Sequence, residues 1–143
     1  MDNSRSSGLE ILQQMLRGEL EVPVCSLVGF RLTAVQEGAA TFELEPLQAH
    51  YNLIGTVHGG IMATLLDSSM SCAVHSRLLA GESYATVEVN ISYTRPVTTA
   101  AGLLRCEGQV VSMGSRTATA SAQVLDNEGH LYAHGTTVCL IVR

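Results

Sequence analysis

Apolar and polar positions alternate through most of the second half of this chain, and the alternation predicts strands. Ala85 to Tyr93 reads ATVEVNISY, with Val87, Val89 and Ile91 set against Thr86, Glu88, Asn90 and Ser92; a period of two marks a strand with one buried face. Three more strand segments follow, Leu103 to Met113, Arg116 to Leu125 and Leu131 to Val142. Met113-Gly114-Ser115 and Asp126-Asn127-Glu128-Gly129 separate them, both suited to hairpin turns. Upstream, Leu27 to Glu45 predicts two strands broken near Glu37-Gly38. In the second, Phe42 and Leu44 oppose Thr41, Glu43 and Glu45, and Pro46 stops it.

Helical spacing occurs twice. Leu9, Leu12, Leu16 and Leu20 share one face of a short amphipathic segment that Pro23 is expected to end. His58 to Leu79 is the long candidate, and Ile61, Met62, Leu65, Leu66, Cys72, Ala73, Val74 and Leu78 cover most of its circumference. A helix that is apolar nearly all round is a buried one. Strands, one buried helix, then about four consecutive antiparallel strands predict an α+β fold, not an alternating parallel one. Residues 1–22 are expected to form a helical extension and 23–143 the domain proper.

Composition adds three constraints. At 143 residues and 46% hydrophobic content, one domain can build its core without staples. Only 15% of residues are charged, against about 25% in an average domain, which favours a chain that buries surface against copies of itself. The net charge is −5 with no basic run, which argues against nucleic acid or an anionic membrane as partner. All eight cations are arginines, suited to phosphate but equally to surface solubility. Cys25, Cys72, Cys106 and Cys139 have no ligand-like spacing and read as small hydrophobes, so no metal is expected. There is neither a signal-peptide pattern nor a membrane-length apolar run, and the expected location is the cytoplasm.

The chemistry concentrates between Asn52 and Ser71. His58-Gly59-Gly60 stands at the start of the long helix, where first-turn N–H groups lack intrahelical partners and the dipole is positive. Such a terminus binds an anion or polarises a carbonyl, although paired glycines also serve close packing. Gly60, Thr64, Asp67 and Ser71 follow at spacings of four, three and four and so share one narrow face. Either that stripe faces water, or its carboxylate lies in a cleft or a subunit seam. The small residues around it favour the second.

The run N-x-x-G-x-x-H-G-G from Asn52 to Gly60, with Asp67 eight residues after the first glycine of HGG, resembles the hotdog-fold thioesterases of the phenylacetate-degradation (PaaI-like) type. So does the strand T-V-E-V-N-I-S-Y-T-R-P from Thr86 to Pro96. The resemblance extends from about Gly29 to Val142. It implies an antiparallel sheet wrapped around one long helix, and an acyl-CoA substrate hydrolysed without a metal or separate cofactor. It further implies a homodimer, stacked into a tetramer, whose sites are shared. One subunit would supply Asn52, His58 and Gly59, and the other Asp67 as nucleophile or general base. The Gly59 N–H would polarise the thioester carbonyl, Asn52 would position water or carbonyl, and His58 would shape the loop. Ser71 and Thr86 match positions where the family places a hydroxyl beside the carboxylate. Arg95 and Arg116, at strand ends, are the candidates for the CoA phosphates or else guards of a sheet edge. A non-catalytic acyl-CoA sensor on the same fold would not need Asp67. A hydratase would need an Asn-Pro motif that the chain lacks.

Overall fold

The computed structural model describes residues 5–143; the first four residues of the expected extension lie outside it. Three helices, α1 (Gly8–Leu16), α2 (Pro23–Val28) and α3 (Gly59–His75), accompany six strands. These are β1 (Phe30–Gln36), β2 (Ala39–Leu44), β3 (Ser83–Tyr93), β4 (Leu104–Met113), β5 (Thr117–Leu125) and β6 (Leu131–Val142).

Local chemistry sets the boundaries. The Ser7 hydroxyl accepts the Glu10 N–H while the Glu10 carboxylate accepts the Ser7 N–H, a reciprocal cap that starts α1. The helix ends at Leu16, before the expected Leu20, and the chain turns at Gly18 with φ 78°. Pro23 does not simply end a helix: it opens α2 from the first helical position, where its missing N–H is not needed. Leu27 and Val28 therefore belong to α2 rather than to a strand, and β1 begins at Phe30.

The strands form one antiparallel sheet in the order β1-β2-β4-β5-β6-β3. It packs around α3, which touches every strand. Met62, Leu65, Leu66, Met70, Ala73 and Val74 of α3 are buried, as are Phe42, Leu44, Leu104, Cys106, Ala120 and Val124 of the sheet. Sheet and helix approach closely at Gly108 of β4, where a Cβ would collide with the Ser69 carbonyl of α3. There the Ser69 hydroxyl donates to the Cys106 carbonyl at 3.2 Å. Leu12 of α1 also belongs to this core, and the Gly8 N–H donates to the Leu78 carbonyl at 3.0 Å.

β3 departs from its sequence pattern in a way that matters. A bulge between Thr86 and Glu88 leaves Val87 without a β6 partner and 66% exposed. An extra residue in one strand reverses which face each later side chain occupies. Thr86 on one side of the bulge and Val89, Ile91 and Tyr93 on the other consequently all meet α3. The expected grouping of Val87 with Val89 and Ile91 against Thr86 is thereby broken.

Candidate active site at the start of α3

α3 begins at His58, whose Nδ1 accepts the Gly60 N–H at 2.8 Å. His58 Nδ1 is thus an acceptor spent on its own helix, and the ring is exposed. The neighbouring Gly59 N–H has no acceptor among the described residues. The Gly59 carbonyl accepts the Tyr93 hydroxyl at 2.7 Å, and a Cβ on Gly59 would lie 3.2 Å from that oxygen. One free, oriented N–H at the positive end of a long helix is what an oxyanion needs. It lines a cleft of about 340 Å³ with Met62, Tyr93, Arg95 and Tyr132.

The loop leading to α3 is built by Asn52. Its Oδ1 accepts the N–H groups of Ile54 (3.1 Å) and Thr56 (3.2 Å), and its Nδ2 donates to the Thr56 hydroxyl at 3.2 Å. One Nδ2 proton remains for another acceptor. Beneath the loop, buried His50 bridges the Leu47 N–H and the Val28 carbonyl, and its own carbonyl accepts the His58 N–H.

Asp67 lies two turns further along α3, partly buried, in a second cleft of about 520 Å³ lined by Val24, Ala63, Thr64, Ser68, Val89 and Ile91. Burial raises its pKa above the ordinary aspartate value, and the Thr86 hydroxyl, donating to Oδ1 at 3.4 Å, pulls the other way. A carboxylate whose basicity is raised by an apolar wall suits proton abstraction near neutral pH. Burial pushes the nearby Cys72 thiol up to about 12, so it supplies no thiolate nucleophile.

Of the residues singled out in the sequence, Thr86 and Asp67 come together, as do Gly59 and Arg95. Gly60 is exposed at the helix start and Thr64 donates back to its carbonyl; Ser71 is buried and donates to the Ser68 carbonyl at 3.4 Å. Arg116 sits beside Ile141, near the opposite end of β6 from Arg95, and lines neither cleft. Tyr93 was legible only as the aromatic ending a strand, and Val24 only as a residue after a helix-ending proline. Gly59 and Asp67 are eight residues apart on one helix, which separates them by about 12 Å along its axis. No single carbonyl reaches both within one chain.

Among the described residues no cluster of His, Cys, Asp and Glu is arranged to hold a metal. Among these residues no helix is long and apolar enough to cross a membrane.

Comparison with known proteins identifies the family and the fold. The family model described as thioesterase superfamily matches residues 54–133. Mouse acyl-coenzyme A thioesterase 13 is 27% identical over 133 residues, covering 91% of this chain and 94% of that protein. A Halobacterium salinarum protein provisionally named an esterase is 40% identical over 83 residues, a match spanning 53% of its length. The crystal structure of a phenylacetic acid degradation-related protein from Ralstonia eutropha JMP134, provisionally described as a thioesterase, superposes with a TM-score of 0.80 at 30% identity. It covers 90% of this chain and 97% of that one. With its six-stranded antiparallel sheet packed around α3 and the motif from Asn52 to Asp67, this chain belongs to the thioesterase superfamily and is a hotdog-fold thioester hydrolase.

Proposed function

We infer that the protein hydrolyses acyl-CoA thioesters with small to medium, including aromatic, acyl groups, at sites built by two protomers. The observation that carries this reading is the separation of a free Gly59 N–H from a half-buried Asp67 by two turns of one helix. Two such helices related by a twofold axis would bring the Gly59 of one protomer to the Asp67 of the other.

The edge strand supports the pairing. β3 has eleven residues and no partner on its outer side, and long free edges invite strand addition. Leu27, Leu53, Ile54 and Val87 are large apolar side chains left 85%, 102%, 81% and 66% exposed, surface that a partner protomer would cover. A homodimer, stacked further into a tetramer in the cytoplasm, accounts for these surfaces, and the four free cysteines fit a reducing location.

In this reading the thioester carbonyl accepts the Gly59 N–H, and charge developing on its oxygen meets the positive end of α3. Asp67 of the other protomer takes a proton from water as the water oxygen bonds to the carbonyl carbon. The C–S bond then breaks, the CoA thiolate leaves, and the carboxylic acid is released. Alternatively the Asp67 carboxylate attacks the carbonyl itself and water cleaves the resulting anhydride. Single turnover in ¹⁸O-water separates the two, because only the anhydride route can carry label into Asp67. Arg95 and Arg116 are the cations offered to the CoA phosphates.

The test is free-thiol release from aromatic, short-chain and medium-chain acyl-CoAs with the parent protein and Asp67→Asn side by side. Turnover that vanishes in the variant supports the reading. Tight acyl-CoA binding without turnover by the parent would replace it with a sensor role.

A further inference from the structure

At the far side of the Gly59 cleft, a buried carboxylate holds an aromatic ring beneath an arginine. Asp126 Oδ1 accepts the N–H groups of Glu128 and His130, each at 2.9 Å. Its Oδ2 accepts the Tyr132 hydroxyl at 3.0 Å and lies 2.9 Å from His130 Nδ1. Burial alone would raise the Asp126 pKa, but these four donors hold it well below the ordinary value. The carboxylate is therefore ionised and already fully hydrogen-bonded.

Tyr132 fixes Arg95 in two ways. Its ring lies under the guanidinium, with Arg95 Cζ 5.7 Å from the centroid, within cation–π range. Its carbonyl accepts the N–H groups of Thr94 and Arg95 at 2.9 and 3.3 Å. Yet Arg95 makes no salt bridge among the described residues, whereas Arg17, Arg31, Arg105 and Arg143 each do. An unpaired guanidinium and the positive end of α3 line one cleft. With the helix end assigned to the thioester carbonyl, it is the guanidinium without a carboxylate partner that favours a negatively charged group.

We propose that Tyr132, clamped by Asp126, is a positioning residue that presents Arg95 to the phosphate-bearing portion of the thiol carrier. The proposal rests on the acyl-CoA reading above. It sets Arg95 apart from Arg116, which has no such platform.

The test compares one acyl group carried on CoA and on N-acetylcysteamine, a thiol without phosphates, using the parent, Arg95→Gln and Tyr132→Phe. Tyr132→Phe keeps the ring and removes the hydroxyl that binds Asp126 and also interacts with the Arg95 side chain. For acyl-CoA, Arg95→Gln is expected to raise KM about tenfold or more, the loss of one charge-assisted contact. Tyr132→Phe should raise it in the same direction by a smaller factor, and both effects should fall on KM rather than kcat. With acyl-N-acetylcysteamine neither variant should differ from the parent. Equal KM increases on both thioesters would overturn the proposal, as would a Tyr132→Phe protein identical to the parent when Arg95→Gln is impaired. If the parent cleaves neither thioester, the hydrolase reading fails separately. Calorimetric binding of free CoA to the same three proteins then decides the Arg95–Tyr132 relation, with undiminished binding by Arg95→Gln counting against it.

Discussion

The Tyr93 hydroxyl donates to the Gly59 carbonyl at 2.7 Å, tying the last residue of β3 to the first residue of α3. The strand edge and the N–H proposed as oxyanion donor are thus mechanically linked: in the proposed dimer, whatever pairs along β3 also orients the N–H beside that carbonyl. Tyr93→Phe should lower kcat about three- to tenfold, as one hydrogen bond worth roughly 1 kcal/mol is lost. The melting temperature should fall by no more than a few degrees, because the bond lies at an exposed helix end. Kinetics and calorimetry on the same preparation check both.

The Gly59 N–H can be removed without removing the helix. Gly59 is the first helical residue, where proline is accommodated, and His58 has the extended backbone (φ −57°, ψ 135°) that precedes proline readily. Gly59→Ala serves as the control, since it adds the same Cβ beside Tyr93 but keeps the N–H. Gly59→Pro is expected to fall about a hundredfold or more below Gly59→Ala in kcat, the usual effect of losing one oxyanion donor. Circular dichroism should show both proteins folded.

Asp67 should trade stability for activity. Its pKa is raised in the folded protein by burial, so the folded state holds that proton more tightly than the unfolded chain does. The associated stability is present below the unfolded pKa and lost as pH rises through the folded one. At neutral pH the ionised carboxylate is a burden, and Asp67→Asn should melt higher than the parent there while losing activity. The difference should shrink as pH falls below the unfolded aspartate value. Thr86→Val removes the one hydroxyl that favours the charged form, and should move the acid limb of the kcat/KM profile to higher pH.

Gly108 offers a test of the fold apart from the chemistry. A Cβ there meets the Ser69 backbone rather than a side chain that could swing away. Gly108→Ala should destabilise by about 1–3 kcal/mol, in the range of overpacked cores. Denaturant melts would show it.

Much of this architecture was readable from residue pattern. The run from Ile61 to Leu78 is apolar nearly all round, and a helix with that surface has nowhere to go but inside a sheet. Gly114 and the Asp126 to Gly129 turn punctuate the last strands at the positions where the structure reverses direction. The bulge at Val87 was hidden because ATVEVNISY alternates without interruption, and nothing local distinguishes a strand that slips by one residue. Its consequence, Val89 and Ile91 sharing the α3-facing side with Thr86, depends on packing against α3. Pro23 was ambiguous in the same way, since the residue that stops one helix is also suited to start the next. At Asn52 the motif pointed to positioning of water or carbonyl; that Oδ1 also accepts two backbone N–H groups of its own loop was not visible in it. Asp126 read as a turn residue, and its partners Tyr132 and His130 only become visible once β6 is placed.

In the proposed dimer one site takes Gly59 from one protomer and Asp67 from the other. Mixing Gly59→Pro with Asp67→Asn, after dissociation and reassembly, tests it most directly. In a shared arrangement each mixed dimer regains one intact site from two inactive chains, so random pairing should restore about a quarter of parent activity on an acyl-CoA. If both residues had to come from the same chain, every site in the mixture would carry a defect. Activity that stays at the level of the separate variants, with mixed dimers verified by mass, would contradict the account.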